Sequence, residues 1–136
     1  MPRFVDTNVL LYSISRAPAE RRKRERALEV LGERDLALSA QVLQEFYWQA
    51  TRVTRADRIP HQAALALIKA WSRFPIQEIS LTVVMTALEI CERHRLSYWD
   101  SALIAAAQAL GCDEVLSEDM HHGLKIGGVT IVNPLR

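Results

Sequence analysis

Residues 97–111 read Ser-Tyr-Trp-Asp-Ser-Ala-Leu-Ile-Ala-Ala-Ala-Gln-Ala-Leu-Gly. Ser97 suits the cap of a first turn and Gly111 suits a stop, so the stretch predicts a helix to about Leu110. Between those ends Ala102, Leu103, Ile104, Ala105, Ala106 and Ala107 leave no polar face. A helix that is apolar nearly all round belongs at the centre of a domain, where small side chains let neighbours approach closely. After it, Val115-Leu116 and Val129 to Val132 read as strands. Before it, Phe4-Val5, Leu36-Ala37-Leu38 and Ile76 to Ile79 do the same.

Helical patterns separate these strands. A short helix begins at Val9 after Asp6-Thr7-Asn8. A second runs from Pro18 to about Leu31 and closes at Gly32. Ser39 caps a third, with Val42, Leu43, Phe46, Tyr47 and Ala50 at helical spacing. Pro60 starts a fourth, carrying Leu67, Ala70, Trp71 and Phe74 on one side. Thr82 opens a fifth with Val84, Leu88 and Cys91. Short apolar strands alternating with helices predict an α/β fold, a three-layer α/β/α sandwich around a central, mainly parallel sheet. No repeat, linker or low-complexity tract divides the chain, so residues 1–136 read as a single domain.

Composition narrows the function. The 136 residues carry 17 Lys+Arg against 16 Asp+Glu, a formal net charge of +1. Near-neutrality excludes a generally basic nucleic-acid coat, so any RNA contact must come from local patches or bound metal. Cys91 and Cys112 form no disulfide framework and lack zinc spacing. The N-terminus has no signal-peptide pattern, and the longest apolar run, Ala102 to Ala107, is far too short to span a bilayer. The expectation is a soluble protein of a reducing cytoplasm, with no membrane partner.

Phosphate-loop, dinucleotide-turn and nucleophile-elbow patterns are absent. His61, His94, His121 and His122 have no metal-ligand spacing; the adjacent His121 and His122 read as surface or packing residues. Carboxylates remain. Asp6 and Asp119 follow predicted strands, which places both at the carboxyl-end rim where parallel sheets bind ligands. Asp100 opens the apolar helix and Glu45 sits on the third helix. Each also has a plain structural reading: Asp6 as an N-cap, Asp100 as part of a first turn capped by Ser97, Asp119 as a turn residue, Glu45 as a solvated helix position.

The surrounding words change that balance. Phe-Val-Asp6-Thr7-Asn8, Leu-Gln-Glu45-Phe, Tyr-Trp-Asp100-Ser-Ala-Leu-Ile-Ala-Ala-Ala and Leu-Ser117-Glu118-Asp119 occur in that order. The chain here strongly resembles the PIN-domain family, and within it the ribonuclease toxins of VapC type, over essentially its whole length. The resemblance implies that Asp6, Glu45, Asp100 and Asp119 line a negative pocket for Mg²⁺ or Mn²⁺. It also implies that Thr7, Asn8 and Ser117 support that pocket. Glu118 is a local rival to Asp119 for the fourth acid.

Hard oxygen ligands suit those ions, which lower the pKa of a bound water and neutralise charge on a phosphate. The implied activity is endonucleolytic hydrolysis of RNA by metal-activated water, leaving 5′-phosphate and 3′-hydroxyl ends. On this reading Asp6 and Asp100 ligate metal directly, while Glu45 and Asp119 act through water. Basic side chains must offset the acidic pocket; Arg16, Arg52, Arg55, Arg58, Arg93 and Arg95 are candidates, Arg52, Arg55 and Arg58 foremost, whereas the run Arg21 to Arg26 reads as a solvated helix face. Tyr98 and Trp99, beside Asp100, offer rings for stacking on bases but read first as core.

A cognate antitoxin is the implied protein partner, together with a homodimer; Val42, Phe46, Tyr47 and Trp48 are candidates for the groove or dimer surface. Two other readings are a PIN-like nuclease of RNA processing and a catalytically silent PIN-like binding module. A haloacid-dehalogenase-like phosphatase would need a second Asp where Asn8 stands.

Overall fold

A computed structural model describes residues 2–136. Its strands are β1 (Arg3–Val5), β2 (Leu36–Ser39), β3 (Ile76–Gln77), β4 (Glu114–Leu116), β5 (Lys125–Ile126) and β6 (Val129–Val132). Its helices are α1 (Thr7–Ser13), α2 (Arg21–Leu31), α3 (Ala40–Thr51), α4 (His61–Trp71), α5 (Leu81–His94) and α6 (Tyr98–Ala109), with a 3-10 turn at Pro18–Glu20 ahead of α2. The sheet order is β3-β2-β1-β4-β6-β5. Every pairing is parallel except β5 with β6. Helices α1 to α4 pack in series, α1 on α2, α1 on α3 and α3 on α4. Helices α5 and α6 form a separate pair, and α6 lies across β2, β3, β4 and β6.

The expected sandwich is therefore present, and α6 takes the central place its composition demands. All six residues from Ala102 to Ala107 are buried, with Ile104 fully so. Small side chains allow that close seat on the sheet, while Phe4, Val5, Val115, Leu116 and Ile131 fill the layer beneath. On the other side Phe46 meets Trp71 edge-on, ring centroids 4.7 Å apart.

Local chemistry explains the boundaries. Ser39, Ser80 and Ser97 each accept an N–H of their helix's first turn. The Gly127-Gly128 pair, both at positive φ, makes the two-residue turn that folds β5 back on β6.

Three expectations need correction. Helix α5 starts at Leu81 rather than Thr82, and its buried face is Val83, Ala87 and Ile90. Leu88 is 47% exposed, because the true stripe is displaced by one residue from Val84, Leu88 and Cys91. The strand read over Ile76 to Ile79 stops at Gln77, and Ile79 is exposed. The β5–β6 hairpin was not expected, since two-residue strands carry no periodicity.

Truncating Ile104 to Ala should cost about 2–5 kcal/mol, whereas Met85→Ala on the exposed side of α5 should stay within about 0.5 kcal/mol. Urea unfolding of both variants checks this.

Candidate active site

The strand order reverses direction at β1: β2 and β3 follow on one side, β4 and β6 on the other. The crevice beyond the carboxyl ends of β1 and β4 is thus the topological switch point, where open parallel sheets bind ligands. Register fixes what stands there. Val5 pairs with Leu116, so the next residues, Asp6 and Ser117, emerge side by side. The Asp6 N–H donates to the Leu116 carbonyl at 3.0 Å, and the Ser117 N–H to the Val132 carbonyl at 3.0 Å.

Asp6 is buried, 5% exposed, and caps α1 as the sequence suggested. The Thr7 N–H donates to its Oδ1 at 2.6 Å and the Ser117 hydroxyl to its Oδ2 at 2.7 Å. The Asn8 amide group lies 3.2 Å from Asp6 Oδ2, 3.2 Å from Ser117 Oγ and 3.1 Å from Asp119 Oδ2. Its two hydrogens are therefore shared among three acceptors. Ser117 Oγ also accepts the Asp119 N–H at 3.2 Å.

Glu45 projects from α3 toward this group. Thr7 Oγ1 donates to Glu45 Oε2 at 3.0 Å, and Gln41 to Oε1 at 3.1 Å. The solvated reading of Glu45 is thus incomplete, since it sits half-buried on Thr7.

Six of the expected residues, Asp6, Thr7, Asn8, Glu45, Ser117 and Asp119, form one hydrogen-bonded set. Asp100 stands at the first turn of α6, half-buried, with its N–H donated to Ser97 Oγ at 3.1 Å. It makes no side-chain hydrogen bond to the other acids among the described residues. Glu118 points elsewhere. Tyr12 OH donates to it at 2.9 Å, and Lys23 Nζ lies 3.0 Å from it and 5.0 Å over the Tyr12 ring. Its N–H donates to Asn8 Oδ1 at 3.2 Å. The pair Glu118 and Asp119 is thereby split: the first is neutralised by Lys23, the second shares Asn8 with Asp6.

Gln41, Tyr12 and Lys23 were not singled out in the sequence. Gln41 stands one turn before Glu45, a legible i,i+4 relation. Tyr12 and Lys23 reach Glu118 across about a hundred residues of chain, and no local pattern announces that.

Several surface expectations change. Val42 and Phe46 are fully buried and cannot line a groove or dimer surface; Tyr47 and Trp48 are exposed. Trp99 is 63% exposed rather than core, with Tyr98 half-buried edge-on to it. In the run Arg21 to Arg26, Arg21 pairs with Glu25 and Arg26 with Glu29. Arg22 and Arg26 also bond the Leu135 and Pro134 carbonyls, so α2 spends its charge on structure. Arg55 Nε lies 2.9 Å from Asp57 Oδ1, off the line of a hydrogen bond. Arg52 lies over Trp48, 5.3 Å from the ring centroid. His122 Nδ1 accepts the Asn133 N–H, consistent with a packing role.

The electrostatics are uncommon for buried carboxylates. Burial lifts Asp6 from its ordinary 3.8 to about 6; the Ser117 and Thr7 hydrogen bonds pull it down, and the charges of Asp119 and Glu45 push it up again. Among the described residues none of Asp6, Glu45, Asp100 or Asp119 forms an ion pair with Lys or Arg. The donor set is all oxygen, negative and held by neutral groups, which fits a hard divalent cation. Among the described residues no three or more His, Cys, Asp or Glu side chains stand close enough together to hold a metal ion between them. Mg²⁺ does not require such a cluster, because it keeps several waters and takes one or two carboxylates.

An α/β domain with an acidic, cation-free crevice at its switch point is the class that fold and site define. The chain belongs to the PIN-domain family, whose model matches residues 3–122. No curated protein sequence matches it significantly. Among solved structures it is similar to a toxin–antitoxin complex from Klebsiella pneumoniae, at 22% identity over 97% of both chains and a TM-score of 0.70. It is also similar to VapC20 of Mycobacterium tuberculosis, described as a sarcin–ricin-loop-cleaving toxin, at 20% identity over 86% of this chain and 91% of that one, TM-score 0.66. A third is VapBC2 of Rickettsia felis bound to promoter DNA, at 18% identity over 96% and 97%, TM-score 0.63. At these identities the likeness is one of fold.

The raised pKa of Asp6 has a stability consequence. The folded protein holds that proton more tightly than the unfolded chain. Its contribution is therefore fully present below about pH 4 and is lost as pH rises through about 6. In EDTA, urea unfolding should show wild type losing roughly 2–3 kcal/mol across that window relative to Asp6→Asn, which cannot ionise. Parallel stability profiles for the two proteins would contradict it.

Proposed function

We propose that this chain is a metal-dependent endoribonuclease that hydrolyses RNA phosphodiester bonds, acting as the toxin of a toxin–antitoxin pair. The observation that carries the reading is the set Asp6–Asn8–Asp119 with Thr7–Glu45. These carboxylates gather at the sheet's switch point, bonded to neutral donors and left without a cation.

Asp6 and Asp100 are the residues assigned to hold Mg²⁺ or Mn²⁺ directly. Glu45 and Asp119 act through water or orient the attacking water. Bound there, the ion supplies a more acidic water and offsets charge on the phosphate. The chain's own groups do the rest. Ser117 and Thr7 fix both oxygens of Asp6. Asn8 holds Asp119 at a set distance from Asp6. Gln41 and Thr7 orient Glu45. At neutral pH Asp6 is mostly ionised despite its burial, and so available as a ligand.

RNA as substrate is supported by the Mycobacterium tuberculosis neighbour's description as a cleaving toxin of an RNA loop. An antitoxin partner is supported by the Klebsiella pneumoniae neighbour, described as a toxin–antitoxin complex. A homodimer and a cytoplasmic location belong to the same reading. Among the described residues, no helix is long and apolar enough to cross a membrane.

Purified protein should cleave single-stranded RNA in Mn²⁺ or Mg²⁺ and stop in EDTA. Asp6→Asn and Asp100→Asn should each lower the rate by about a hundredfold or more with the circular-dichroism spectrum unchanged. Undiminished cleavage by both variants would refute the ligand assignment; no cleavage by wild type in any divalent ion would leave a silent binding module.

A further inference from the structure

Beyond the acid crevice, three recesses in the surface join end to end. The first, about 210 Å³, is bounded by Asn8, Tyr12 and Arg55, and so touches the acid set through Asn8, whose amide lies on Asp6 and Asp119. The second, about 430 Å³, shares Arg55 and adds Arg16. The third, about 620 Å³, shares Arg16 and adds Arg58, Tyr47 and His61. We propose that this trough, from Asn8 past Arg55 and Arg16 to Arg58 and His61, holds the single-stranded RNA that flanks the cleaved bond. The proposal rests on the nuclease reading and specifies which side of the crevice the strand occupies.

Charge is the first argument. An acid cluster repels phosphates, so an RNA must gain its attraction nearby. The trough's lining carries three arginines, Arg16, Arg55 and Arg58, against two acids, Asp57 and Glu20. Asp57 lies 2.9 Å from Arg55 and accepts the Arg16 N–H at 3.0 Å, while Glu20 takes the Ser15 hydroxyl. Arg16 and Arg58 are exposed and have no carboxylate within ion-pair distance among the described residues. Arg58 also donates to the Val53 carbonyl at 3.3 Å, a neutral acceptor that leaves its charge in place. On α2, Arg21 and Arg26 meet Glu25 and Glu29, and Arg52 lies over Trp48 outside the trough's lining.

Shape is the second. Tyr47 and His61 stand edge to face, 5.7 Å apart, joined through Tyr47 OH and His61 Nδ1 at 3.0 Å. An exposed, mutually braced ring pair at the far wall offers a face for an unstacked base, which a single strand presents and a duplex does not. A phosphate track with an aromatic wall, continuous with the catalytic acids, is the signature of single-strand binding.

The test reads binding separately from cleavage. Fluorescein-labelled oligouridylate is titrated with protein in EDTA, where no hydrolysis occurs, across a range of NaCl concentrations. The Arg16→Gln/Arg58→Gln variant should bind about tenfold more weakly, and its log Kd against log salt slope should be shallower by about 0.7 per arginine removed. The Arg16→Lys/Arg58→Lys variant should restore the slope, since a phosphate accepts either cation. An unchanged affinity and slope in the glutamine variant overturns the trough as an RNA path and leaves it to a protein partner. Wild-type cleavage in Mn²⁺ is measured in parallel. Its absence would defeat the nuclease reading while the salt slopes still judged the trough.

Discussion

The pairing of β1 with β4 sets the Asp6 carboxylate beside the Ser117 hydroxyl, and the rest of the site is arranged around that contact. A buried acid is costly to ionise, and Asp6 has no Lys or Arg to compensate it. The fold instead surrounds it with an N–H, a hydroxyl and an amide from two pieces of chain: Thr7 and Asn8 from α1's first turn, and Ser117 from the residue after β4. Three neutral donors lower the cost without abolishing it. The residual tension is the reason to read the crevice as a place for an external cation rather than as a satisfied cap.

Much of this was legible in the sequence, for identifiable reasons. The strand at Phe4-Val5 ends in an acid, and parallel topology sends that acid to the ligand rim. The Ala102 to Ala107 block could only be central. The ordered acidic words located Asp6, Glu45 and Asp119 before any coordinate. What stayed hidden is long-range or depends on a single residue of phase. The split between Glu118 and Asp119 is decided by Lys23, on a helix distant in sequence. The buried stripe of α5 runs through Val83, Ala87 and Ile90, one residue off the reading from pattern alone, because amphipathic spacing is ambiguous where apolar residues are adjacent. Trp99 shows the same weakness: a large aromatic suggests an interior position, yet it lies largely in solvent.

A net charge of +1 conceals strong local segregation. Asp6, Glu45 and Asp119, which form no ion pair among the described residues, gather at the switch point, and Arg16 and Arg58 line the recess beside it. Elsewhere opposite charges meet: Arg3 bridges Glu33 and Glu114 at 2.7 and 2.9 Å, and Lys23 meets Glu118. Surface ion pairs of this kind contribute little stability individually.

The sheet's borders have a consequence of their own. Its two outermost strands, β3 and β5, are each only two residues long, and β5 carries the exposed Lys125. Such stubs present too few free backbone groups to template an incoming extended peptide, and the lysine discourages it further. Recognition by strand augmentation is therefore disfavoured on both flanks. A protein that grips this molecule must do so through side chains on helical or loop surfaces, where its fit is governed by shape and charge rather than by backbone ladders.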